Sequence, residues 1–191
     1  MVFKILSSIS LVAFGVVAAN ADLLYDNLGK PTTGYDNFSS AGAILSDSFS
    51  VGATPANVHD IFFSLLPSAN GGAGQFTVGL YWDALQTNAI VAKTYSDSSA
   101  TWAPLDLHFS NQWLNANTRY WIGINVANSN IGWNVEGTNA GHGVANEFYY
   151  NSGGLQANTG GPYQASVQST PAPGAILTFA LGFLARKRRR A

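Results

Sequence analysis

The segment QFTVGLYW, residues 75–82, alternates large apolar side chains with polar or smaller ones. Successive side chains of a β-strand point to opposite faces, so this period of two predicts a strand with one buried face. The side chains assigned to the buried face are Phe76, Val78, Leu80 and Trp82. The segment YWIGINV, residues 120–126, repeats the pattern and is predicted to be a second strand of the same kind.

Short apolar runs recur along the chain between clusters of Gly, Asn, Ser and Thr, as in proteins built of many short strands. Further strands are predicted at 23–28, 45–49, 58–66, 89–95, 105–109, 131–135, 147–150 and 163–167. Residues 29–34, 97–101 and 151–161 are predicted to be loops. We therefore expect about nine to eleven strands in a single antiparallel β-sandwich of jelly-roll type over residues 22–168. A closed β-barrel stays open as an alternative, because periodicity does not distinguish the two.

The composition excludes several classes of protein. Charged residues make up 10% of the 191-residue chain, against about 25% in an average soluble protein, which argues against a coiled coil. Aromatic residues make up 13%, which argues against intrinsic disorder. The chain has no cysteine, so a disulfide scaffold, a thiolate metal site and a cysteine nucleophile are excluded.

The charges are segregated along the chain. Residues 22–170 contain all the acids but only Lys30, Lys93 and Arg119 among the cations, so this body is acidic and no nucleic-acid partner is expected. A run of five cations lies near the C-terminus, directly after an apolar segment. That position favours a cytoplasmic stop at a membrane over a nucleic-acid arm. The run consists of Arg186, Lys187, Arg188, Arg189 and Arg190.

Residues 1–21 are predicted to be a secretory signal peptide. A basic residue, Lys4, precedes the apolar run 5–17. Ala19 and Ala21 supply the small side chains that signal peptidase requires, and Asp22 begins the mature chain. A retained N-terminal membrane anchor is the alternative. Either way, the pattern predicts export to the cell envelope or beyond.

Residues 169–191 are predicted to be a separate sorting and anchoring segment. It opens with Pro171, Ala172, Pro173 and Gly174 and continues with an apolar run, residues 175–185. As a helix this run spans ~16–20 Å, short of the ~30 Å hydrocarbon core, so insertion requires snorkelling arginines and a thinned bilayer. The apolar anchor is formed by Ala175, Ile176, Leu177, Phe179, Leu181, Phe183 and Leu184.

This C-terminal arrangement resembles the PEP-CTERM sorting signals of Gram-negative bacteria. Those signals join a Pro-Glu-Pro motif, one hydrophobic transmembrane helix and an arginine-rich end, and here Ala172 stands in place of the glutamate. The resemblance implies that an exosortase-type enzyme recognises the segment and removes the helix, so that membrane attachment is transient. A permanent short anchor is the alternative.

The body of the chain resembles the choice-of-anchor R domain family, from about residue 24 to residue 167. The resemblance implies an extracellular surface domain with no established catalytic activity, and it supplies no site residues. The motifs that carry it are LYDNL (24–28), DSF (47–49), NTRYW (117–121), GVANEF (143–148) and GPYQ (161–164).

The histidines do not form a recognisable catalytic or metal motif. His59 and His108 lie within apolar strand patterns and are predicted to be structural, with a hydrogen bond between His108 and Asp106 on one strand face. His142 lies in a glycine-rich loop near Glu147, but no pair of ligands has the spacing of a metal motif.

No catalytic residue is predicted. The sequence has no Gly-x-Ser-x-Gly elbow, no His-Glu-x-x-His motif and no phosphate-binding glycine loop. Glu136 and Glu147 are the only glutamates, and nothing places them across a sugar from each other. No cofactor or metal is predicted, although a structural Ca²⁺ bound by loop carbonyls and an aspartate or two stays open.

Tryptophans supply the candidate binding residues. Exposed Trp side chains stack on sugar rings, whereas buried ones fill the space between sheets. Three hypotheses follow: a non-enzymatic exported surface or matrix protein, a carbohydrate-binding module for exopolysaccharide or other glycans, and an exported hydrolase without a recognised motif. The candidate glycan contacts are Trp102, Trp113, Trp121 and Trp133.

Overall fold

The computed structural model describes residues 22–38, 41–68, 74–136, 148–157 and 163–170. These residues form thirteen β-strands and one 3₁₀ turn, Asp97–Ser99, with no α-helix among them. The predicted signal peptide, the motif and anchor from residue 171 onward, His142 and Glu147 all lie outside the described residues. The strands are β1 (Asp22–Asp26), β2 (Thr32–Asn37), β3 (Ile44–Ser50), β4 (Ala56–Phe63), β5 (Leu65–Leu66), β6 (Gln75–Tyr81), β7 (Ala89–Ser96), β8 (Leu105–Leu114), β9 (Arg119–Val126), β10 (Gly132–Glu136), β11 (Phe148–Asn151), β12 (Gly154–Ala157) and β13 (Ala165–Thr170).

The strands form three sheets, and every recorded strand pair is antiparallel. A six-stranded sheet has the order β12-β11-β3-β9-β6-β7, and a four-stranded sheet has the order β1-β13-β4-β8. A three-stranded sheet has the order β2-β10-β5. The expectation of an all-β, antiparallel protein is confirmed, and the arrangement is consistent with a β-sandwich.

The period-two pattern correctly identifies the central core strands. Phe76, Val78 and Leu80 of β6 are buried, as are the alternate residues of β9 from Tyr120 to Val126. Burial of each such side chain contributes about 1.5–3 kcal/mol to the free energy of unfolding. The expectation that Trp82 is buried with them is wrong. β6 ends at Tyr81, and Trp82 is 49% exposed, with its ring 4.9 Å from that of Tyr120.

The strand count exceeds the expected range for two reasons. The predicted strand 58–66 is divided into β4 and β5, and two strands were not predicted: β2, which begins within the predicted loop 29–34, and β12, which lies within the predicted loop 151–161. β2 pairs with β10, although its sequence TTGYDN has no run of apolar residues. β12 pairs only with β11 at the edge of the six-stranded sheet, and three of its four residues are exposed. Both strands are held by backbone pairing with a neighbour rather than by a buried apolar face, so hydropathy does not reveal them.

Two strands also extend beyond their predicted ends. β8 continues to Leu114, well past residue 109, because it pairs with β4 as far as Ala56. β13 continues to Thr170, which lies opposite Asn57. The folded body therefore includes residues 169 and 170, which were assigned to the sorting segment.

Candidate functional site

A groove of about 880 Å³ lies over the three-stranded sheet. Its volume is in the range typical of ligand sites. It is lined by Leu28, Thr32, Gly34, Tyr35, Asn37, Ser64, Leu66, Pro67, Ser68, Trp102, Asn130, Asn134 and Gln164. None of these side chains carries a charge, and most are amides, hydroxyls or aromatic rings.

Two exposed aromatic side chains belong to this groove. Tyr35 lies on β2 and is 55% exposed. Trp102 lies in the connection between the 3₁₀ turn and β8 and is 81% exposed. A concave surface that combines exposed aromatic rings with polar groups is typical of ligand sites.

The floor of the groove is a network of amide and hydroxyl groups. Asn134 Nδ2 donates to Ser64 Oγ at 2.9 Å, and Thr32 Oγ1 donates to Gln164 Oε1 at 2.9 Å. Gln164 Nε2 donates to the carbonyl of Lys30 at 2.7 Å. These bonds hold the polar side chains in fixed orientations before any ligand arrives, which reduces the entropy lost on binding.

Trp133 supports this floor from inside the protein. Its ring is fully buried and stacks on Tyr163, with the centroids 4.6 Å apart and the planes at 15°. Its Nε1 donates to the carbonyl of Gln164 at 2.9 Å. The prediction that Trp133 contacts glycan is wrong, because β10 turns this side chain into the core and presents the neighbouring Asn134 to the groove.

The remaining tryptophan candidates lie elsewhere. Trp121 is only 8% exposed on β9, opposite Ser48 of β3 and Tyr81 of β6, so its prediction as a glycan contact is also wrong. Trp113 is 53% exposed on β8 but is not among the residues that line the groove. Of the four candidates, only Trp102 is exposed in the groove.

A smaller pocket of about 320 Å³ adjoins the groove, and Asn37 lines both. Asp36 and Tyr150 are among its other lining residues. The carboxylate of Asp36 accepts a short hydrogen bond from the hydroxyl of Tyr163. Burial, this hydrogen bond and the negative charges of Asp36 and Asp47 raise the pKa of Tyr163, so its hydroxyl remains a donor at physiological pH.

His59 and His108 form a cluster with Asp60 on the four-stranded sheet, away from the groove. Asp60 lies within 2.5 Å of Nδ1 of both His59 and His108, so the predicted bond between Asp106 and His108 is wrong. Burial raises the pKa of Asp60, but the hydrogen bonds from His108 and His59 outweigh it and lower the pKa overall. Burial and the charge of Asp60 raise the pKa of Asp106.

The arrangement of the acidic side chains bears on metal and acid–base chemistry. Within them, no group of three or more His, Asp and Glu side chains is arranged to hold a metal ion. Glu136 is fully buried on β10, so its carboxylate does not face the groove.

No protein-family model matches the chain, and no curated protein matches it. The part of the chain that the structure describes contains no helix long and apolar enough to cross a membrane.

The sequence pointed to Trp102 but missed Tyr35, Asn134 and Gln164. Tyr35 lies in a segment that reads as a loop, and the two amides are ordinary polar residues until the fold brings them together.

Proposed function

We propose that this protein is an exported, non-enzymatic protein of the cell surface or extracellular matrix, and that its β-domain binds neutral polysaccharide. The observation that carries the proposal is the uncharged groove that contains Tyr35 and Trp102. We further infer that the three sheets pack as one sandwich of jelly-roll type, with the groove over the three-stranded sheet.

The chemistry of the groove matches that of an uncharged sugar chain. The apolar face of a sugar ring packs on an aromatic face, and Tyr35 and Trp102 offer two such faces. Sugar hydroxyls exchange hydrogen bonds with amides and hydroxyls, which the groove supplies in Asn37, Asn130 and Asn134. A ligand without charge fits because the lining residues supply no counter-charge. The ligand chain is expected to run along β2, which borders both depressions.

The terminal segments support export and sorting. The pattern of residues 1–21 is that of a substrate of signal peptidase, and the pattern of residues 171–190 is that of a substrate of an exosortase-type enzyme. The domain would then face the outside of the cell envelope, attached transiently or permanently by the C-terminal helix. In that location an exopolysaccharide is the natural ligand for the groove.

Single substitutions in the groove test the proposal. We expect Tyr35→Ala and Trp102→Ala each to weaken binding by about five- to fiftyfold, because each removes one stacking face. Trp113→Ala is the matched control, since this exposed tryptophan lies outside the groove. The measurement is retardation of the full chain in native gels that contain β-1,3-glucan, dextran or galactomannan. Equal loss in all three variants, or retention of binding by the double variant Tyr35→Ala/Trp102→Ala, would refute the proposed site.

A further inference from the structure

The point where the chain leaves the β-domain lies close to an exposed tryptophan. β13 ends at Thr170, which pairs with Asn57 near the start of β4. Asn57 pairs in turn with Trp113, near the end of β8, and the Trp113 side chain is exposed. Neighbouring strands are ~4.8 Å apart, so the backbone of Trp113 lies ~10 Å from that of Thr170.

The predicted anchor follows this exit closely. It begins at Ala175, and the chain from Thr170 to Ala175 reaches at most ~18 Å, because an extended residue spans ~3.6 Å. When the apolar run is inserted, this end of the domain is therefore held no more than ~18 Å from the hydrocarbon core, of which the headgroup layer takes up ~5–7 Å. This step rests on the proposed membrane attachment.

A second exposed tryptophan, Trp82, lies at the same end of the domain. Its ring packs on that of Tyr120, near the start of β9, with the centroids 4.9 Å apart. The hydroxyl of Tyr120 accepts a hydrogen bond of 2.8 Å from the backbone N–H of Asn115, two residues after Trp113. Leu85, in the same loop as Trp82, is also exposed. We call Trp82, Leu85 and Trp113 the apolar rim.

The groove lies at the opposite ends of the strands that lead to the exit. Gln164 directly precedes β13, Ser64 directly follows β4, and Trp102 lies shortly before β8. β8 has ten residues and spans ~33 Å at ~3.3 Å per residue. A membrane in contact with the apolar rim would therefore leave the groove at the far end of the domain, facing away from the lipid.

We propose that the apolar rim rests in the headgroup layer of the membrane that holds the C-terminal segment, with zwitterionic phospholipid as its partner. Tryptophan is enriched at membrane–water interfaces, because its ring is apolar while its N–H still finds a polar partner. Asp83, in the loop after β6, and Arg119, at the start of β9, add one charge of each sign to this end, which suits a zwitterionic surface. The groove then opens outward, toward extracellular polysaccharide.

Tryptophan quenching by brominated lipid tests the docking. The full chain is reconstituted in phosphatidylcholine vesicles, and flotation first tests membrane attachment by itself. Vesicles of phosphatidylcholine brominated near the headgroup end of the acyl chains then quench only tryptophans close to the lipid. We expect Trp82→Phe/Trp113→Phe to lose most of the quenching. Phe keeps an apolar ring at both positions, so the variant removes the fluorophores without removing the surface.

Trp102→Phe is the matched control, because it removes an exposed tryptophan at the groove end and should not reduce the quenched fraction of the emission. A chain that does not float overturns both attachment and docking. A floating chain whose quenched fraction is unchanged in the double variant, or falls equally in Trp102→Phe, refutes the docking alone.

A contact between copies is the other occupant that the experiment distinguishes. Dimerisation of the full chain in detergent that is lost in Trp82→Ser/Trp113→Ser, without quenching by brominated lipid, would overturn the proposal and assign the apolar rim to that contact. None of these outcomes bears on the groove, since retardation in polysaccharide gels requires no membrane.

Discussion

Asp60 lies directly opposite His108 across the β4–β8 pair, and its carboxylate is shared between two imidazoles. Its Oδ1 is 2.5 Å from Nδ1 of His108, and its Oδ2 is 2.5 Å from Nδ1 of His59. The register of β4 shifts between Val58 and Asp60 against both of its neighbours. This irregularity breaks the strict alternation of faces at His59, so that a neighbouring residue reaches the same carboxylate.

Replacement of Asp60 should destabilise the domain in a pH-dependent way. The pKa of Asp60 is lowered in the folded state, so its stabilisation is fully present above the unfolded value of about 3.9 and is lost as the pH falls through the folded value. We expect Asp60→Asn to lower the free energy of unfolding by about 1 kcal/mol at pH 7 and by much less near pH 2.5. Urea denaturation at the two pH values measures this, and an equal loss at both would contradict it.

Hydropathy predicts strands well where one face is buried and poorly where backbone pairing alone holds the strand. β6 and β9 bury alternate apolar residues, so the sequence predicts them and most of their inward-facing side chains. Trp82 is half exposed rather than buried, because periodicity does not show where a strand ends. β2 has no apolar run of its own, and its existence depends on β10, a strand distant in sequence.

The candidate site was harder to predict than the core, because it depends on contacts between residues that are distant in sequence. Trp102 and Trp133 both lie near strand starts in the sequence, yet one is 81% exposed and the other is fully buried. Residue type alone does not separate them, because Trp133 is turned into the core by the register of β10, whereas Trp102 lies in the connection before β8. The sequence also did not predict the cluster at Asp60, since His108 pairs across strands rather than with Asp106 along its own strand.

On the outer face of the six-stranded sheet, a loop side chain packs closely over a glycine and leaves no room for a Cβ at that position. Gly123 lies beneath Gln86, whose Nε2 donates to Leu45 O, Ser46 Oγ and Ile124 O. A Cβ at position 123 would lie 2.4 Å from that nitrogen. We therefore expect Gly123→Ala to lower the free energy of unfolding by about 1–3 kcal/mol.

A double-mutant cycle separates this steric cause from strand propensity. In a Gln86→Ala background, the cost of Gly123→Ala should fall to less than half, because the obstructing amide is gone. Chemical denaturation of the four proteins gives the coupling energy. If the losses in the free energy of unfolding are additive, contact with Gln86 is not the cause of the destabilisation by Gly123→Ala.

Buried and exposed tryptophans should respond differently to conservative substitution. Trp133→Phe removes the indole donor to Gln164 O and opens space beside Tyr163, so we expect a loss of about 1–3 kcal/mol in the free energy of unfolding. Trp113→Phe, at a half-exposed position, should change it by no more than about 0.5 kcal/mol. Thermal unfolding of both variants provides the comparison, and similar losses would contradict the assignment of Trp133 to the supporting core.

The basic C-terminal run should be required for membrane retention and processing. Replacement of the cations of residues 186–190 by serine removes the charges that stop the short apolar segment at the cytoplasmic face. We expect the variant to lose retention and to accumulate unprocessed chain. Cell fractionation and the apparent mass of the chain measure this, with Lys30→Ser in the body as the control. Unchanged fractionation and processing would contradict the sorting hypothesis.

The full chain should bind polysaccharide without hydrolysing it. Glycoside hydrolysis requires two carboxyl groups on opposite sides of the scissile bond, about 5–10 Å apart. The described residues that line the groove include no carboxylate, and Glu136 is buried. Asp36 lines the adjoining pocket and accepts a hydrogen bond from the hydroxyl of Tyr163. The described residues that line the groove and this pocket include no second carboxylate to complete the pair. Incubation with the retarding polysaccharide should therefore release no reducing ends above a heat-denatured control. Release that disappears in Asp36→Asn, but persists in Asp106→Asn, would instead identify Asp36 as catalytic and the protein as a hydrolase.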